Sequence, residues 1–155
     1  MTPHVPEYPD EVLARQPIGY WTGEAYRTIV GQIRADLAVE GLTQPHWWIL
    51  NHVAGDSGTW DRDGLVRRLA RFDDLDTDFD AVLDDLLGRG WLARSPAGAF
   101  VLTARGEAGR QRAAERGART NARIHEGISA QGYAAALTVL RRMIANLDGE
   151  ADLPG

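Results

Sequence analysis

The chain is expected to be mainly α-helical, an α+β fold in which the only β-structure is a small hairpin. Three observations lead there. Apolar residues recur at helical spacing over most of the 155 residues. Two short β-prone runs, Trp91–Arg94 and Ala99–Leu102, flank Ser95-Pro96-Ala97-Gly98, a composition that turns. Long amphipathic segments lie on both sides of this middle region.

In chain order, residues 1–17 carry early prolines at 3, 6 and 9 and are expected to form an irregular arm. From Ile18 to Val39, Tyr20, Trp21, Ala25, Ile29, Ile33 and Leu37 mark one face of a long helix, which Gly41-Leu42 breaks. Thr43 is a suitable N-cap and Pro45 an early helical proline for the next helix, about 45–53, apolar nearly all round. AGDSGTW reads as a loop, after which Asp61 caps a short helix with Leu65, Val66, Leu69 and Ala70. In the stretch FDDLDTDFDAVLDDLLGRGWL, Leu75, Phe79, Val82, Leu83, Leu86 and Leu87 line a single helical face. After the hairpin, helices are expected from Thr103 to about Ile128 and from Tyr133 to Leu147. Three helices followed by a hairpin describe a winged helix-turn-helix, flanked here by dimerisation helices at about 18–39 and 104–148.

Composition bounds the chemistry. Charged residues are 25% of the chain and the formal net charge is −5, which argues against a uniformly basic nucleic-acid binder but not against a local basic patch. All 17 basic residues are arginine, and there is no cysteine to form a disulfide or a thiolate metal site. No apolar run approaches membrane-spanning length, and a cytoplasmic protein is expected. His4, His46, His52 and His125 are scattered, with no nucleophile elbow, phosphate-cradling glycine loop or metalloprotease motif. Neither an enzyme nor a cofactor or metal is expected.

GLTQPHWWILNHVAG, DGLVRRLARF with the acidic stretch to LLGRGWLAR, and VLTARGEAGRQRAA resemble the MarR family of bacterial transcriptional regulators over about Gly19 to Gly149. The resemblance implies one domain at 18–149, with its winged helix at about 43–103 and a tail at 150–155. It also implies a homodimer on palindromic double-stranded promoter DNA, released by a small, often aromatic, effector. Two places depart from the family pattern. The wing is reduced to RSPAGAF, without arginine at its tip, and the recognition helix carries acidic contact positions.

The expected DNA-facing residues are Arg62, Arg67, Arg68, Arg71, Thr77, Asp78, Ala81 and Arg94. Arg67, Arg68 and Arg71 either grip phosphates or bridge to the neighbouring aspartates. The seven aspartates between 73 and 85 have three readings: helix caps with a solvated outer face, an acidic surface for a basic partner, or direct acceptance from cytosine amino groups. Arg105 to Arg123 are spread around their helix and read as solvated or dimer-bridging. Trp21, His46 and Trp48 either pack simply or line the effector pocket. The main functional expectation is thus a ligand-responsive regulator binding promoter DNA. The other is a dimer of this fold that no longer binds DNA and acts through a small ligand or a protein partner.

Overall fold

The computed structural model describes residues 3–154. Within the arm expected to be irregular lies a short helix, α1 (Asp10–Leu13). The Pro9 carbonyl accepts from the N–H groups of Val12 and Leu13, and Asp10 and Glu11 complement the positive helix start. Met1 and Thr2 of the arm and Gly155 of the tail lie outside the described residues.

The chain groups into two compact units, one spanning Arg15–Thr120 and the other formed by residues before Arg15 and after Thr120. In the first, α2 (Ile18–Val39) has the expected bounds. It ends because Gly41 adopts φ +69, which lets Leu42 N–H reach Leu37 O and Gly41 N–H reach Ala38 O. Leu37 and Leu42 are both buried, which adds the apolar contact typical of this terminus. Helix α3 (Gln44–Gly55) follows, then α4 (Arg62–Ala70), where Asp61 accepts from Gly64 N–H at 2.7 Å as expected.

Helix α5 (Phe79–Gly88) starts later than the apolar spacing implies, and Leu75 is 58% exposed. Local polar bonds explain the difference. Asp73 accepts from the Thr77 N–H and hydroxyl, both at 2.6 Å, and Asp78 caps α5 by accepting from Ala81 N–H at 3.0 Å. These bonds offer residues 73–77 an alternative to the helical ladder. Asp76 stands at φ +52, a left-handed conformation that aspartate tolerates better than most residues.

Strands β1 (Leu92–Arg94) and β2 (Phe100–Leu102) pair antiparallel, Ala93 opposite Val101, as the expected hairpin. The core of this unit joins Ile49, Leu50 and Val53 of α3, Leu65 and Leu69 of α4, and Phe79, Leu83 and Leu86 of α5 to Leu92 and Phe100. Each such side chain contributes about 1.5–3 kcal/mol on burial. The three helices and the hairpin form a winged helix-turn-helix around that core. Helix α6 (Ala104–Ile124) begins where Thr103 accepts from Gly106 N–H at 3.0 Å and donates its hydroxyl to Gly90 O at 2.6 Å.

In the second unit, Ser129 accepts from Gly132 N–H and starts α7 (Ala130–Ala145) three residues before the expected Tyr133. It stops before Leu147, where Gly149 N–H returns to Ile144 O and Asp148 takes φ +57. None of its residues is buried, and Tyr133, Leu137, Val139, Met143 and Ile144 are exposed. No helix of the described residues is long and apolar enough to cross a membrane.

Candidate nucleic-acid interface

In winged-helix proteins the second helix of the helix-turn-helix enters a major groove and the hairpin reaches the adjacent backbone. Here those elements are α5 and β1–β2, with α4 as the helix before them. The sequence-predicted residues fall into three groups on this frame.

Arg62, Arg67 and Arg68 lie on α4 and Arg71 is its C-cap. Arg67 and Arg71 are exposed and, among the described residues, pair with no carboxylate. Arg68 stacks its guanidinium 5.5 Å from the centroid of Phe72. Arg62 is differently placed. Its fork crosses to α5, with Nη1 2.8 Å from Asp80 Oδ1 and Nη2 2.6 Å from Asp84 Oδ1. Bridging to the neighbouring aspartates is one of the two readings of Arg67, Arg68 and Arg71; the bridges to Asp80 and Asp84 are made by Arg62.

Thr77, Asp78 and Ala81 sit at the start of α5. The Thr77 hydroxyl is given to Asp73 and the Asp78 carboxylate to the cap, while Ala81 is exposed. Arg94 ends β1, exposed, with its guanidinium 5.8 Å from the Phe100 ring centroid.

The seven aspartates therefore divide by function. Asp73 and Asp78 order the entry to α5. Asp74 accepts from the Tyr26 hydroxyl of α2 and lies 3.7 Å from Arg34. Asp85 faces α3, where His46 Nε2–H donates to it at 2.8 Å, and Arg89 meets it at 2.7 Å. Burial by itself pushes the Asp85 carboxyl up, but hydrogen bonds from His46 and Arg89 outweigh it and hold the carboxyl below its ordinary range. Asp80 and Asp84 bind Arg62, which leaves Asp76, among the described residues, with neither a cap nor an ion pair.

The other face of His46 fixes its tautomer. Nδ1 accepts from the Thr43 N–H at 3.2 Å and from the Thr43 hydroxyl at 2.7 Å, so Nδ1 is unprotonated and Nε2 carries the hydrogen. Burial holds this histidine below its ordinary pKa, ahead of the opposing hydrogen bond to Asp85.

Of the expected effector-lining residues, Trp21 is exposed and meets Tyr20 edge-on at 5.2 Å, His46 is buried in the capping arrangement, and Trp48 packs half-buried against the core. Adjacent Trp47 is also half-buried, so neither tryptophan occupies the centre of the core. A cleft of about 370 Å³ lies where α3 ends and α6 begins, lined by Val53, Ser57, Leu102, Thr103, Glu107 and Arg110 among others. Arg110 is anchored there by Glu107 at 2.7 Å and by Asn51 at 3.2 Å. Arg112 and Arg116 do not point to solvent alone. Both hold Glu40, at 3.0 and 2.9 Å. Sequence reasoning missed the ties of Tyr26 and Arg34 to Asp74 and of Glu40 to Arg116 because these pairs lie 40 or more positions apart, and periodicity carries no signal for such pairs.

No protein-family model and no curated protein matches the chain. Solved structures do. The Mycobacterium tuberculosis MarR family protein Rv2887 is 25% identical, with a TM-score of 0.63 over 82% of this chain and 93% of that one. The same protein in complex with DNA matches at 23% identity and TM-score 0.64, covering 83% and 98%. A MarR family transcriptional regulator from Silicibacter pomeroyi is 15% identical with a TM-score of 0.67, covering 90% and 99%. The transcriptional repressor CouR is 23% identical with a TM-score of 0.66, covering 82% and 91%. With its helix order, wing and α6 entry accounted for, the chain has the winged helix-turn-helix fold of the MarR family transcriptional regulators.

Proposed function

We propose that this chain is a MarR family transcriptional regulator, a cytoplasmic homodimer that binds double-stranded promoter DNA through α4, α5 and the hairpin and is not an enzyme. Residues 18–149 act as its one regulatory domain, with the arm before and the tail after. The observation that carries the reading is the winged helix itself, with Arg67 and Arg71 exposed and unneutralised beside α5. A solved relative of this fold is bound to DNA, which supports the same use here. The exposed apolar side chains of α2 (Ile18, Tyr20, Trp21) and of α7 (Leu137, Met143, Ile144) support dimerisation, because neither set is covered within one chain.

Small-molecule control is the further part of the proposal. Rv2887 has been solved with salicylic acid and CouR with p-coumaroyl-CoA. The cleft where α3 ends and α6 begins sets polar groups of Thr103, Glu107 and Arg110 beside apolar walls, the mixture small-ligand sites use. Trp21 and Trp48 remain proposed contacts of an aromatic effector, with His46 as the residue through which α3 would relay its presence to α5.

A second reading is favoured by one observation: Arg62 is neutralised by α5, and the wing tip has no base to replace it. On that reading the dimer persists without DNA and works through its ligand or a protein partner.

An anisotropy titration with the chain's own upstream region at two salt concentrations separates the readings. Specific nanomolar binding with a steep salt slope rejects the second, and no binding at low salt by an intact dimer rejects the first. If phosphates are held by α4, Arg67→Ala with Arg68→Ala weakens binding uniformly across sequences and flattens the log–log salt slope by about 0.9 per phosphate released. An unchanged slope removes both arginines from the interface.

A further inference from the structure

We propose that Arg62 with Asp80 and Asp84 forms an autoinhibitory clamp, in which α5 occupies the arginine that would otherwise hold a DNA phosphate, and that DNA binding requires Arg62 to exchange carboxylate for phosphate. The proposal rests on the DNA-binding reading and adds to it a cost built into the protein.

The geometry is specific. Arg62 is the first residue of α4, where the positive end of the helix disfavours a cation. Its side chain extends away from its own helix and lies across α5, spanning two carboxylates four residues apart, one on each Nη atom. Nη1 also donates to the Asp80 carbonyl at 3.3 Å. Asp80 and Asp84 are on the same side of α5 as successive turns. With one cation and two anions, the closed cluster presents a net negative charge on the helix that should meet a polyanion.

The clamp is built to open. The Asp80 and Asp84 side chains are 63% and 69% exposed, so water competes for both bridges, and pairs of this kind hold weakly. The Arg62 side chain is itself 27% exposed, so it is not sealed from solvent. A phosphate therefore displaces the carboxylates without unpacking the core, because none of the three side chains belongs to it.

A thermodynamic cycle of four proteins tests this: the native chain, Arg62→Ala, Asp80→Asn with Asp84→Asn, and the triple variant. Each is titrated with a labelled mixed-sequence duplex at several salt concentrations, after circular dichroism and sedimentation show a folded dimer. The clamp predicts that the double asparagine variant binds on the order of fivefold tighter at low salt. The clamp has Arg62→Ala flatten the log–log salt slope by about 0.9 in either background, since Arg62 holds one phosphate once the complex has formed. It further predicts that Arg62→Ala costs on the order of fivefold more in the asparagine background than in the native one. Equal costs in both backgrounds overturn the clamp, since the aspartates then merely repel DNA independently of Arg62. No binding by any of the four folded dimers overturns the DNA-binding reading itself, and the clamp with it.

Discussion

Gly106 and Gly109 show how much one missing carbon can decide. A Cβ on Gly106 would lie 2.0 Å from the Trp91 carbonyl oxygen, and one on Gly109 would lie 2.3 Å from the Trp91 ring. The first collision is with backbone that also accepts from Thr103 N–H, so it cannot yield without undoing the start of α6. Gly106→Ala should destabilise the fold by about 2–3 kcal/mol, read from urea unfolding. Gly117, on the same helix with open space around it, provides the contrast, and Gly117→Ala should stabilise by about 0.5–1 kcal/mol. His46 acts through its proton. Its pKa is lowered on folding, so the unfolded chain binds the proton more readily and the stability from the neutral ring is present above the ordinary value of 6.5. That stability is lost as the pH falls below 6.5 and through the lower folded value. A series of unfolding curves across that range should show the native chain weakening on acidification and His46→Gln weakening less steeply. Parallel slopes would exclude His46 as the source.

At the scale of elements, the sequence is most readable where local spacing and turn chemistry decide the structure. The bounds of α2, the apolar face of α5 from Phe79, and the hairpin around Ser95–Gly98 all follow from spacing and turn chemistry. Thr103 and Gly106 were legible as a motif, and the structure supplies its reason in a cap and a close backbone approach. The segment 72–78 misled because apolar periodicity, with Leu75 in phase, says nothing of an aspartate that binds two groups of the threonine four residues on. Equally illegible was the choice of Arg62 as the bridging arginine. Four arginines lie close together in sequence, and only the fold decides that the one at the start of α4 faces Asp80 and Asp84. Glu40 belongs with these long-range pairs. Hydrogen bonds from Arg116 and Arg112 lower its carboxyl, so their stabilisation is present above the ordinary carboxylate range and lost as acid protonates it.

For the whole molecule, the least satisfied part is α7. A helix of 16 residues with no buried side chain is marginal in water by itself. If a second copy covers its apolar face, Leu137→Glu with Ile144→Glu should yield monomers in sedimentation, together with loss of helical signal or of cooperativity on heating. A dimer unchanged in mass would place the interface elsewhere. The same dimer carries the DNA-binding reading, since paired winged helices meet successive grooves only when a twofold interface holds them.

The division of labour among the aspartates sets a rule for anyone who would redesign the charge of this surface. Removing acidity wholesale from residues 73 to 85 would take away the bonds that order the entry to α5, along with the tie to α3 that Asp85 makes to His46. Only Asp76, Asp80 and Asp84 are available for neutralisation without dismantling a cap or an inter-helix tie to α2 or α3. A less acidic variant of this surface is thus reached through three positions, not seven, and the other four are as much part of the scaffold as its leucines.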